Sequence, residues 1–211
     1  MRVSAAHWDA VLAGRSGELH TAAGEVRRLP VARWLGHEPA DDSLIGAVIG
    51  WCHGPTVDLG CGPGRIVDLL LRSGIPALGV DDSPHAVRLT RERGAAALRR
   101  DVFAPLPGEG RWSHAILLDG NIGIGGDPER LLRRAAALVE VGGTVMVEVE
   151  PADVGVVQEA VRVRAAGGIS RWFPWARVGS DALDGLAAAA GLRTVRWLDH
   201  RSGRRCAELA R

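Results

Sequence analysis

The chain contains no lysine and no tyrosine; all 26 basic residues are arginine. With its abundance of alanine and glycine, this reads as codon bias of a high-GC bacterial source, not as a mechanism. Cysteine is scarce. Cys52, Cys61 and Cys206 are odd in number and form no C-x-x-C pair, which argues against a disulfide framework or a zinc site and makes a reducing cytoplasm the expected compartment. No stretch approaches the roughly 18 apolar residues of a membrane span, and MRVSAAHWDA at the start lacks the apolar core of an export signal. Charge of one sign is missing too: 26 basic against 25 acidic residues leave +1. Such a balance provides no field to steer nucleic acid or an anionic membrane, and neither is expected as a partner.

What is present suits one domain with a core of its own: 211 residues, 46% apolar and 24% charged. From residue 56 onward strand-like and helix-like patterns alternate, the mark of a parallel sheet with helices on its faces. Strands are expected at Thr56–Leu59, Pro76–Val80, Ala97–Arg99, His114–Leu118 and Thr144–Val149. Helices are expected over Arg65–Ser73, after Ser83-Pro84 and after Asp127-Pro128, each pair a cap followed by a first-turn proline. EVGG at 140–143 is expected to close the last of these. A helix from Ser180 and a hairpin of Thr194–Leu198 with Arg205–Leu209 end the chain.

The expected fold is therefore α/β, a doubly wound, Rossmann-like and mostly parallel sheet of seven strands ending in an antiparallel hairpin. One domain divides into a helical cover (1–53, with 40–51 as a capped helix), a ligand-binding core (54–150), an insert (151–179) and the terminal helix and hairpin (180–211). In the insert, Val157, Val161, Val163 and Ala165 alternate with Gln158, Arg162 and Arg164, which predicts a β-hairpin rather than a helix.

TVDLGCGPGR at 56–65 is the most informative stretch. Its glycines, Gly60, Gly62 and Gly64, are spaced G-x-G-x-G, not the G-x-G-x-x-G of dinucleotide folds. Glycines here let a ligand approach the backbone closely. Asp58, in the strand just before them, would repel a pyrophosphate and suits a cationic ligand. S-adenosylmethionine (AdoMet) has an α-ammonium, a sulfonium and no phosphate.

Taken together, VDLGCGPGR, GVDDSP (79–84), RRDVFAPLP (99–107) and RLLRRAAALVEVGGTVMVEV (130–149) resemble, in order and spacing, the motifs of the class I AdoMet-dependent methyltransferases. The resemblance spans about 54–150, plus the terminal helix and hairpin. It implies that Asp58 and the loop of Gly60, Cys61, Gly62 and Gly64 hold the methionine part of AdoMet. Asp81, 21 positions beyond Gly60, would take the ribose diol, with Asp82 beside it as a contact or a helix cap. Asp101 would accept from the adenine amine next to the Val102 backbone, and Asp119 would offer its backbone carbonyl to the methionine ammonium. Cys61 is a small filler in this motif and Arg65 a helix-face residue.

Methyl transfer needs alignment above all, and a base only where the acceptor arrives protonated. The loop LLDGNIGIGGDP (117–128) is the candidate site, with Asn121 and Asp119 as candidate catalytic residues. Its glycines mark either backbone running beside a ligand or a flexible turn. Asp119, Asn121, Glu148 and Glu150 are oxygen donors of the kind Mg²⁺ takes. The Asp-Asn pair that catechol-type members carry after the fifth strand is absent, so no metal is expected. Trp172, Trp175 and Arg171, in RWFPW and beside it, are candidate acceptor-binding residues, with Phe173 and Arg162, Arg164 and Arg177 nearby. His7, Trp8 and His20 would belong to the cover, and either histidine could serve as a base.

A small-molecule acceptor and a monomer or homodimer are expected. The alternatives are an AdoMet-binding enzyme that does not methylate, of the cyclase or decarboxylase type, or a non-catalytic nucleotide-binding subunit.

Overall fold

The structure, a computed structural model, describes residues 5–211. In chain order the elements are α1 (Ala5–Gly14), β1 (Glu18–Thr21), β2 (Val26–Arg28), α2 (Val31–Trp34), α3 (Pro39–Ile49), β3 (Thr56–Leu59), α4 (Arg65–Arg72), β4 (Ala77–Asp81), α5 (Pro84–Glu92) and β5 (Ala97–Arg99). Then come β6 (Trp112–Leu117), a single 3-10 turn (Asn121–Gly123), α6 (Pro128–Leu138), β7 (Val139–Val149), β8 (Val156–Ala165), β9 (Gly168–Ile169), β10 (Phe173–Val178), α7 (Leu183–Ala189), β11 (Arg193–Asp199) and β12 (Arg205–Ala210).

Seven strands form the main sheet, in the order β11-β12-β7-β6-β3-β4-β5. β3 to β7 are mutually parallel, and β12 runs against both β7 and β11. The terminal hairpin is thus built into the sheet, with β12 wedged between β7 and the edge strand β11. Strand alternation sends neighbouring side chains to opposite faces. Ala115 and Leu117 pack with α6 and α7 through Leu131, Leu132, Leu183 and Ala187. Ile116 and Leu118 pack with α3 and α4 through Leu44, Ile45, Ile66 and Leu70. Both faces are buried, which explains the nearly continuous apolar runs of the central strands.

The caps act as the sequence indicates. Ser83 Oγ accepts from Ala86 N at 2.9 Å, and Asp127 Oδ1 accepts from Arg130 N at 3.0 Å. Three local expectations need correction. EVGG does not close α6; that helix ends at Leu138 and β7 begins at Val139, carrying Gly142 at φ 84° inside the strand's irregular start. The helix before β3 starts at Pro39, and Glu38 ahead of it makes no side-chain cap. α7 begins at Leu183, not Ser180.

The larger correction concerns the cover. Residues 15–30 are not helical; β1 and β2 form a hairpin, and β1 pairs with β8 of the insert. The insert is the expected hairpin, β8 with β10, and β9 adds to β8. The result is a second, antiparallel sheet in the order β10-β8-β1-β2. Leu19, Val161, Val163 and Phe173 line its inner face against Val11 and Leu12 of α1. Segments of mixed polarity, too short to announce themselves, become strands because distant segments complete their hydrogen bonds.

Candidate functional site

The glycine turn joins β3 to α4, at the carboxyl ends of the parallel strands. Its three glycines all have positive φ: 80° at Gly60, 53° at Gly62 and 79° at Gly64. They do different work. A Cβ on Gly60 would lie 2.8 Å from Asn121 Nδ2 and 2.9 Å from Ile124 Cδ1, and one on Gly64 would meet Thr90 at 2.5 Å. A Cβ on Gly62 would meet nothing within 4 Å. The outer glycines accommodate protein, and Gly62 presents open backbone. Thr90 fixes it by donating to Gly62 O at 3.0 Å.

Asp58, Asp81, Asp82 and Asp101 stand at or just after the ends of β3, β4 and β5. Asp58 is 1% exposed, and neither carboxylate oxygen has a hydrogen-bond partner among the described residues. Burial, reinforced by Asp119 and Asp81 and opposed by Arg65, pushes its pKa up to about 8. Asp81, at the tip of β4, accepts from Gly62 N at 2.9 Å and Ser83 N at 2.8 Å; burial outweighs those bonds and lifts it to about 6. Asp101 Oδ1 accepts from Phe103 N at 2.9 Å, beside the buried Val102. The cap next to Asp81 belongs to Ser83; Asp82 offers its carbonyl to Arg99 at 3.3 Å. Cys61 is buried beneath the turn, its thiol pushed well up by burial, and acts as filler.

The tip of β6 differs from expectation. Asp119, with φ 55°, does not present a free carboxylate for use as a base. Arg204 reaches its Oδ1 at 2.8 Å, Arg65 its Oδ2 at 3.1 Å, and Arg33 of the cover its Oδ1 at 3.5 Å. Burial raises the pKa of Asp119 against the pull of these arginines. Arg65 is therefore buried at the start of α4 rather than a helix-face residue. Between Asp119 and Glu148, where oxygen donors for Mg²⁺ were considered, the Arg204 guanidinium binds both carboxylates. Asn121, the single asparagine of the chain, turns its Nδ2 onto Gly60 O at 2.8 Å and Leu59 O at 3.0 Å. It braces the glycine turn.

Of the loop glycines after β6, Gly123, Gly125 and Gly126 serve packing, whereas a Cβ on Gly120 would meet nothing within 4 Å. A Cβ on Gly123 would strike Ala176 O and the Trp175 ring, and one on Gly126 would strike Pro174. The loop lies along β10, with Ile124 bridging to Trp175. Of the aromatic candidates, Trp175 comes to this site. Trp8 of α1 meets Trp34, Phe173 and Trp175 at 6.2, 6.3 and 6.4 Å between ring centres. Trp172 does not join them; it lies 38% exposed on the other face of the cover, under Arg162 at 4.6 Å. Arg171 is exposed as well. His20 sits on β1 paired to Glu18 at 3.0 Å, whereas His7 is on α1 with a buried, unpartnered Nδ1. Arg33, Trp34 and Arg204 were missed by sequence reasoning. Nothing local marks them, because each gains its role from a residue distant in the chain.

No family model and no curated protein sequence matches the chain. Solved structures do. An AdoMet-dependent methyltransferase from Bacteroides fragilis, in complex with S-adenosylhomocysteine, superposes with a TM-score of 0.78 at 18% identity, over 97% of this chain and 92% of that one. The sugar N-methyltransferase KedS8 from Streptoalloteichus gives 0.60 at 17%, over 83% and 89%. A Burkholderia thailandensis 1,6-didemethyltoxoflavin N1-methyltransferase gives 0.57 at 19%, over 82% and 77%. The chain has the fold of AdoMet-dependent methyltransferases.

Proposed function

We propose that the protein is an AdoMet-dependent methyltransferase acting on a small-molecule acceptor. One observation carries this reading: a fully buried, unpartnered carboxyl group, Asp58, beside a glycine whose backbone faces open space. Ionising a buried carboxyl without a partner is costly, which is why its pKa stands at about 8, and a ligand ammonium would offset that cost. The same acid would oppose a pyrophosphate. The residues present therefore fit AdoMet, with Asp58 and the Gly60–Gly64 turn at its methionine end. Asp81 keeps lone pairs that would take the ribose hydroxyls, and Asp101 with Val102 would contact the adenine.

AdoMet bound there would supply a methyl on a sulfonium for in-line displacement by the acceptor. The chain's own part is to align and to exclude water, worth up to about 7–11 kcal/mol in favourable systems. Asn121 fixes the glycine turn, and Arg33 closes the cover onto Asp119. The half-buried rings of Trp8, Trp34 and Trp175 offer apolar, electron-rich faces to an acceptor. Neighbours that methylate sugars and a toxoflavin precursor support a small acceptor over a macromolecule.

Isothermal titration tests the cofactor first: AdoMet binds and NAD does not, and Asp81→Ala abolishes the heat. Release of S-adenosylhomocysteine across a panel of amines, hydroxyls and heterocycles then tests the reaction. Binding of NAD in preference to AdoMet would end this reading.

A further inference from the structure

The tip of β6 carries more ionic structure than holding a ligand requires. Asp119 occupies the left-handed region at φ 55°, which non-glycine residues seldom adopt. Its N–H donates to Glu148 Oε2 at 2.6 Å. Glu148 is gripped in turn by Arg204, whose Nε reaches Oε1 at 2.6 Å and whose Nη2 reaches Oε2 at 2.5 Å and Asp119 Oδ1 at 2.8 Å. The three side chains are 10%, 13% and 13% exposed, so these are charge-assisted bonds in a poorly hydrated place. Arg204 comes from the turn between β11 and β12, 85 positions after Asp119. On its other side Asp119 holds Arg65, at the start of α4, and Arg33, on α2 of the cover.

Resting on the methyltransferase reading, we propose that Arg204 and Glu148 are positioning residues: they lock Asp119 in its strained conformation, so that its carboxylate keeps Arg33 and the cover seated over the glycine turn. The chemistry requires a planar cation here. Two buried carboxylates this close repel one another, and a guanidinium fork can bind both at once while an ammonium cannot do so with the same geometry. Glu148 alone could accept from the Asp119 N–H. Arg204 between them offsets that repulsion, and the same Asp119 carboxylate faces Arg33 and Arg65.

The test uses the full chain with two readouts: AdoMet affinity by calorimetry, and amide hydrogen exchange of the free protein. Arg204→Gln should weaken AdoMet binding about tenfold and speed exchange across α2 by a similar factor, while β3 and β6 keep their protection. Arg204→Lys and Glu148→Gln should fall between, and they carry the test if Arg204→Gln does not fold. Arg33→Gln should cost about tenfold alone and almost nothing more in the Arg204→Gln background, because both act through Asp119. A folded Arg204→Gln with wild-type affinity and unchanged α2 exchange would overturn the proposal, as would losses that multiply in the double variant. If the wild type itself ignores AdoMet, the methyltransferase reading falls, and exchange in α2 alone decides the positioning role.

Discussion

The two sheets of this protein are held together by different physics. The seven-stranded sheet buries apolar side chains on both faces, against α6 and α7 on one side and α3 and α4 on the other. The cover sheet has one apolar face, formed by the N-terminal hairpin and the insert after β7. Polar ties fasten it to the core: Asp9 accepts from Ser83 Oγ and from His85 N, Arg93 donates to Leu35 O at 2.8 Å, and Arg33 pairs with Asp119. A core that buries apolar area on both faces resists local opening, whereas a cover with one apolar face, meeting α5 at Ala86 and Leu89 and otherwise tied at a few polar points, opens more readily. The lesson is that the site lies between a rigid part and a part suited to move.

The largest effect expected tests that contrast directly. Leu117→Ala, in the middle of the core, should lower global stability by about 2–5 kcal/mol and shift a single melting transition. Phe173→Ala removes an equally buried ring from the cover, yet should open β1, β8 and β10 while the core melts near its original temperature. Differential scanning calorimetry with hydrogen exchange reads both. One shared transition for Phe173→Ala would show that the two sheets unfold as a unit.

Within the core, a second comparison separates glycines. Gly60→Ala meets positive φ and a clash with Asn121 and Ile124, so it should cost about 2–4 kcal/mol and impair AdoMet binding. Gly62→Ala meets positive φ in open space and should cost about 1–2 kcal/mol. Its loss of AdoMet affinity should nonetheless match or exceed that of Gly60→Ala. Equal melting temperatures for the two variants would contradict this division.

What could be read from the sequence follows the same line. The core strands were legible because they are apolar runs bounded by caps such as Ser83-Pro84 and Asp127-Pro128, where local and global preferences agree. Asp58 was legible beside the glycine turn, and Asp81 and Asp101 through the resemblance of their segments to methyltransferase motifs. ELHT and VRR gave no strand signal, since their partners lie in the insert or across a short turn. The arginine ring around Asp119 was equally hidden: an arginine's partner is a fact of tertiary structure. Asn121 stood out as a residue with a role, but a polar side chain in a candidate loop cannot say whether it faces ligand or backbone.

A smaller effect concerns pH. His114, at the other end of the core strands, accepts from His53 N at 3.1 Å through Nε2 and so donates from Nδ1 to Thr144 Oγ1 at 2.8 Å. Burial lowers its pKa from 6.5 to about 4. Between those values the unfolded chain binds the proton and the folded one does not, so this contribution is present above pH 6.5 and is lost as pH falls toward 4. Asp58 has the opposite sign. Its folded pKa of about 8 lies above the unfolded 3.8, so the folded state holds the extra proton and stability falls as pH rises between them. From pH 6.5 to 8 the Asp58 slope should dominate these two, at no more than about 1.4 kcal/mol per pH unit. Asp58→Asn should remove the decline in melting temperature over that range, and saturating AdoMet should flatten it in the wild type.

The smallest effect lies at the polar ties. Asp9 accepts from Ser83 Oγ and from His85 N at 3.1 Å, so it reaches from α1 of the cover to the first turn of α5. Ser83 still caps α5 without it, through Ala86 N. Asp9→Ala should therefore leave α5 folded and cost about 0.5–1 kcal/mol, within the range of a lost cap contact. Because the contact is part-buried and spans cover and core, its loss should appear as faster exchange of α1 amides with little change in global melting. Arg93 and Arg33 continue to hold α2, so exchange there should stay near wild type. If α2 loosened together with α1, the cover would be one cooperative body, and the separate polar ties would be points on a single hinge rather than independent fastenings.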